Sequence, residues 1–355
     1  MSGTAAQPSN NYAVRAAVIV ILLVVGVAAG LYLASGPTSI PSSCASSTSS
    51  ASSSSVSSSG SSTSTSTLSV AGSSLSPGSG KVIAVVAAEN FWGSLISQLG
   101  GTHANVTSLI SDPNTDPHEY QSNPSTATVI SEAQLVIVNG AGYDTWALNI
   151  ISASSSPNQR VINVQKLLGK PVNANPHFWY SPYYVNDTVK AMYNDLVAID
   201  PADTAYFHQQ YAALNSSLSQ SYMSREVQIK QQFAGVPVAS TEDMFVYMAN
   251  ATGLDVVSPP GFMTAVAEGN DPPALDVAFM QELLECGTGT VRVLVFNVQT
   301  VTPLTDSVKS LAASHEIPAV GMTETIQPLG MTFQSWMGAQ LVSLQNALSS
   351  PADGV

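Results

Sequence analysis

At 355 residues the chain is long enough for two or three domains, yet only 9% of its residues are Asp, Glu, Lys or Arg. Ten Lys and Arg against 23 Asp and Glu give a net charge of −13 with no basic cluster, which argues against nucleic acid as a partner. The acidic balance by itself concerns solubility and steering rather than any particular site.

In chain order, residues 1–15 precede an apolar run at 16–34, "AAVIVILLVVGVAAGLYLA", which holds no charge and no proline. At about 1.5 Å per residue the run spans roughly 29 Å, enough for a bilayer core. Arg15 flanks it and the next basic residue is Lys81, so the positive-inside rule puts 1–15 in the cytoplasm and the remainder outside. An uncleaved single-pass membrane anchor is the preferred reading. A cleaved signal peptide, which would leave the protein secreted, is the alternative. Residues 35–80 are mostly Ser and Thr and cannot bury enough apolar surface to offset ordering, so a flexible tether is expected there. Sequons at Asn105, Asn186, Asn215 and Asn250 are compatible with an external location. Two cysteines, Cys44 and Cys286, give no disulfide framework, and Cys286 reads as a small buried residue.

From Lys81 onward, apolar strands alternate with helices. "KVIAVVAA" (81–88), "ANVTSLI" (104–110), "QLVIVNG" (134–140) and "RVINV" (160–164) read as buried strands, with helices between them. This predicts a parallel sheet covered on both faces, forming a lobe over 81–200. A helix begins at Ser181-Pro182, and a longer one follows Asp200-Pro201 and runs to about Phe233. On the longer helix, Phe207, Tyr211, Leu214, Leu218, Tyr222, Ile229 and Phe233 make one apolar stripe. Such a helix, over 201–233, would be about 45 Å long and suits a link between two lobes. The alternation resumes in a second lobe over 234–350. Its strands are "VPVAS" (236–240), "LDVVS", "VRVLVFN" (291–297) and "PAVGM", a loop leads to a helix near 274–285, and a last helix spans 332–349. The expected fold class is α/β: two Rossmann-like βα lobes with parallel sheets, joined by one long helix. Ligands of open α/β sheets bind at the carboxyl ends of the strands.

Four residues able to bind a metal follow strand ends, two in each lobe. His118 stands in "DPHEY" after the second strand, and His177 in "NPHFW" after the fourth. Glu242 follows "VPVAS" in "STEDMF", and Glu324 follows "PAVGM" in "GMTETI". Two imidazoles and two carboxylates suit a divalent first-row metal and neutralise its charge. Taken singly each has a plainer reading: a loop histidine, an acid in a helix's first turn, a solvated loop acid. Their joint placement favours a common site. His103, His208 and His315 have no such setting and read as structural or exposed. HExxH, GxSxG and glycine-rich phosphate patterns are all missing.

Across nearly all of 81–349 the chain resembles the solute-binding proteins of metal ABC transporters, the zinc- and manganese-binding lipoproteins and adhesins. The resemblance is carried by "DPHEY", "NPHFW", "STEDMFVYMANATGL", "EGNDPPALDVAFMQELLE" and "GMTETI". It implies His118, His177, Glu242 and Glu324 as metal ligands and no catalysis. It also implies an ABC permease as partner and a monomeric extracellular receptor at the cell surface. Glu324 departs from the family, which usually has Asp there, and the added methylene affects how the carboxylate reaches a metal. In this family Glu at the third ligand position goes with manganese and His with zinc, and the His-rich loop of many zinc members is absent. Mn2+ is therefore the expected cargo, with Zn2+ or Fe2+ as alternatives, and zinc binds at least as strongly by the Irving–Williams order. Readings of another class are a mononuclear metallohydrolase, which would need an open position and a separate base, and a structural or adhesive surface protein.

Overall fold

The computed structural model describes residues 81–112, 120–154 and 156–350. The expected anchor at 16–34, the tether at 35–80 and His118 lie outside these residues. Among the described residues no helix is long and apolar enough to cross a membrane.

Two four-stranded parallel sheets form the frame. The first contains β1 (Ile83–Glu89), β2 (Ala104–Ile110), β3 (Leu135–Val138) and β4 (Arg160–Asn163), in the order β2-β1-β3-β4. The second contains β5 (Pro237–Ser240), β6 (Asp255–Val256), β7 (Leu294–Asn297) and β8 (Ala319–Met322), in the order β6-β5-β7-β8. Strand for strand the two orders correspond, so the molecule is a doubled unit although its halves share no sequence repeat. All four residues of β3 are buried, as a central parallel strand covered on both faces requires.

Several helices start where a small polar residue precedes proline. Asn123 and Thr302 each accept from the backbone three residues on, complete a reciprocal capping box, and have proline next. Ser181 likewise caps the helix Pro182–Ile199 by accepting from the Tyr184 N–H.

The linking helix is continuous in its course from Thr204 to Phe233, but it is not uniform. Two α-helical stretches, Thr204–Leu218 and Ser224–Phe233, flank a π-helical turn at Ser219–Met223. Of its predicted stripe, Phe207, Leu214, Leu218, Tyr222 and Ile229 are buried, while Tyr211 and Phe233 are half-buried. Gly338, on the last helix (Phe333–Ser349), lies against the π turn so closely that a Cβ there would sit 2.7 Å from the Ser221 carbonyl oxygen.

Three expectations need correcting. The stretch between β6 and the helix at 274–285 is not all loop: Pro260–Ala267 is a helix, whose Pro-Pro-Gly start resembles a turn although proline at the first helical position presets φ. The third strand of the second sheet begins only at Leu294, leaving Val291 and Val293 buried in the core outside the strand proper. Cys286 is half-buried rather than buried.

Candidate metal centre

The carboxyl ends of the two sheets face a common region in which His177, Glu242 and Glu324 meet. All three are buried, at 0%, 1% and 3% exposure. His118 lies outside the described residues. The chain on its far side is held by Tyr120, whose ring packs 4.6 Å from that of Trp146.

His177 is fixed from behind. Asn175 Oδ1 accepts from the His177 backbone N–H at 3.0 Å and lies 2.8 Å from its Nδ1. The Asp243 carboxylate is also close, with Oδ1 3.4 Å from Nδ1. With Asn175 Oδ1 as acceptor at Nδ1, that nitrogen holds a proton, and Nε2 is turned toward Glu324 Oε2 at 3.7 Å. The backbone beneath is braced by Asn139, which donates to the Pro176 carbonyl at 2.8 Å and accepts from the Trp92 indole at 3.2 Å. Gly140 follows with φ +78°, and a Cβ there would meet Asn163 Oδ1 and the Gln165 Cβ at 2.7 Å, so the turn tolerates only glycine. That turn carries Tyr143, whose hydroxyl donates to Glu324 Oε2 at 2.7 Å across the cleft.

In the second lobe the two acids are joined by Asn297, at the end of β7. Its Nδ2 donates to Glu242 Oε2 at 3.0 Å and to Glu324 Oε1 at 2.7 Å, with Thr300 Oγ1 at 3.1 Å. Asn297 Oδ1 accepts from the Gln299 backbone N–H at 2.9 Å, which fixes the amide's orientation because only oxygen can take that hydrogen. Gln299 Oε1 in turn accepts from the backbone N–H groups of Glu324 and Thr325 at 2.7 and 3.1 Å. Glu242 Oε1 is buried and has no hydrogen-bond partner among the described residues. A carboxylate oxygen left so is costly unless something else satisfies it.

Burial alone would hold the His177 imidazole neutral, but the Asp243 and Glu324 carboxylates outweigh it and raise its pKa to about 10. Burial, reinforced by the charge of Glu324, lifts Glu242 to about 7, against the opposing hydrogen bonds of Thr300 and Asn297. Without a cation, then, a protonated imidazole offsets the acids. Among the described residues no group of three or more His, Cys, Asp or Glu side chains is placed to hold a metal ion as it stands. A cavity of about 380 Å³ reaches this region from outside between the lobes, lined by Tyr143, Asn175, His177, Asp243, Thr264 and Glu268 among others.

The sequence reading did not single out Asn297, Asn175, Tyr143 or Asp243. A signal for the first was present: each lobe's third strand runs into an asparagine, "VIVN" in one and "LVFN" in the other, where an apolar residue would have been the simpler continuation. The remaining histidines are not part of the site. His103 bonds Asp203 at 2.7 Å and stacks on Tyr206, His208 is exposed, and His315 is half-buried near a helix end.

Residues 85–347 match the family profile of the zinc-uptake complex component A, periplasmic (ZnuA), and the chain belongs to that family of metal-binding substrate-binding proteins. Among curated relatives, the manganese-binding lipoprotein MntA of Halalkalibacterium halodurans is 26% identical over 188 residues, covering 50% of this chain and 60% of that one. The zinc-binding protein TroA of Treponema pallidum is 27% identical over 162 residues, covering 43% and 52%. The chain thus spans little more than half the length of these relatives. The solved structure of the periplasmic zinc-binding protein TroA from Treponema pallidum superposes with a TM-score of 0.61 at 20% identity, over 76% of this chain and all of that one. The manganese-bound periplasmic metal-binding protein from Candidatus Liberibacter asiaticus gives 0.62 at 15% identity, over 76% and 99%. These superpositions establish a shared fold.

Proposed function

We propose that this chain is an extracytoplasmic receptor that captures a divalent transition metal between its lobes and delivers it to an ABC permease. His118 and His177 ligate from the first lobe, Glu242 and Glu324 from the second. The supporting observation is the approach of one imidazole and two carboxylates, all buried, at the carboxyl ends of both sheets. Family membership adds to it, since the metal-binding relatives bind manganese or zinc by name. Buried carboxylates with a raised pKa would also suit an acid–base enzyme. A hydrolase, however, needs a base beside an open metal position, and among the described residues the further acid near His177, Asp243, lies 3.4 Å from its Nδ1, on the side away from Glu324.

Manganese is the favoured cargo, because half of the donor set is carboxylate and Glu242 stands where the resemblance puts His in zinc members. Zinc is the second reading, favoured by Asn297, which engages one oxygen of each acid. Attachment to a membrane through 16–34, with 35–80 as tether and lobes over 81–200 and 234–350, completes the proposal. Several relatives are lipoproteins by name, a different mode of attachment from an uncleaved helix.

Elemental analysis of the protein purified from its native source tests the reading. One manganese or zinc per chain is expected, falling to background in Glu242→Ala. A metal-free wild-type protein that also takes up no metal on dialysis against either ion would refute it.

A further inference from the structure

We propose that Asn297 shifts the cleft's preference from manganese toward zinc, by limiting each acidic ligand to one oxygen. The inference rests on the reading of the cleft as a metal centre. Its amide is held in one orientation by the Gln299 N–H, so its two hydrogens face the acids and Thr300 Oγ1. Asn297 engages Glu242 Oε2 and Glu324 Oε1, and is itself buried at 3% exposure. What remains for a cation is Glu242 Oε1, which has no hydrogen-bond partner among the described residues, and Glu324 Oε2, which accepts from Tyr143 and lies 3.7 Å from His177 Nε2.

Two single-oxygen carboxylates beside the His177 imidazole offer few oxygen donors, which suits tetrahedral zinc. Manganese prefers about six donors, mostly oxygen. It would gain from both oxygens of each acid, but only by displacing the Asn297 amide and leaving its buried N–H groups with Thr300 Oγ1 as their one remaining acceptor among the described residues. The strand-end asparagine therefore handicaps manganese relative to zinc. The three loops it touches, at 242, 297–300 and 324, are held in register by the same side chain.

The test is the ratio of manganese to zinc affinity, measured by chelator competition on the full chain and on Asn297→Leu. The substitution keeps the volume and removes both donors. A rise of about tenfold in the ratio is expected, the scale on which partners of metal ligands act. Zinc-edge absorption should show about four donors in the wild type and more in the variant. Asn297→Ser, smaller and still polar, gives the same direction if leucine at this buried position prevents folding. Equal loss of both affinities, or an unchanged ratio, overturns the inference and leaves the receptor reading in place. A wild-type chain that binds neither metal removes both.

Discussion

His177 shows how neighbours decide what a side chain can do. A buried imidazole ordinarily stays neutral, but Asp243 and Glu324 hold this one protonated to about pH 10. A metal that takes Nε2 must displace that proton, and below about pH 7 it must also displace one from Glu242. Since both ligands bind more tightly once deprotonated, affinity should rise with pH. Between about pH 7 and 9 the expected slope is roughly tenfold per unit, for one proton released, and it steepens below 7. Calorimetry in buffers of different ionisation enthalpy would count the protons. Binding that releases none would show that His177 is not a ligand.

The elements that carry these residues were legible to different degrees. Strand ends followed by His177, Glu242 and Glu324 could be read because parallel strands are apolar runs and their carboxyl ends are where such sheets bind ligands. Helix starts were legible for a local reason: Asn123, Ser181 and Thr302 cap helices whose next residue is proline. The helix at 260–267 was hidden by the turn-like "SPPGF", and the π turn by an unbroken apolar stripe that fits 3.6 residues per turn only on average. Asn297 was illegible as a clamp because its partners lie 55 residues before it and 27 after, and only the fold brings them together. The π turn makes its own prediction. Alanine at Gly338 would place a methyl 2.7 Å from the Ser221 carbonyl oxygen, a backbone atom with little room to yield. Overpacking of this kind costs about 1–3 kcal/mol. Urea denaturation of Gly338→Ala should show a loss in that range, and a neutral result would mean that the helices can separate freely at this point.

At the scale of the molecule, one apolar core runs through both lobes and the linking helix. Its aromatic rings form a chain. Phe91 stacks on Trp179 at 3.9 Å, Tyr180 meets Trp336 at 6.4 Å, and Phe333 contacts both Trp336 and Tyr222 at 5.9 Å, the last on the linking helix. Polar contacts cross between lobes as well: Tyr143 to Glu324, Asn175 to the Asp243 carbonyl at 2.6 Å, and the Ile326 N–H to Asn90 at 3.0 Å. A wide hinge opening would break the contacts that cross between the lobes together. Capture and release should therefore proceed by movement of the loops that carry the ligands, with the two sheets keeping their relative places. The central claim is that imidazoles of the first lobe and carboxylates of the second share one cation. X-ray absorption at the metal edge of the loaded protein tests it most directly. Two imidazoles and carboxylate oxygens are predicted around the ion, with one imidazole lost in His118→Ala and one in His177→Ala. A bound ion without imidazole scattering, or a spectrum that neither substitution changes, would contradict the account.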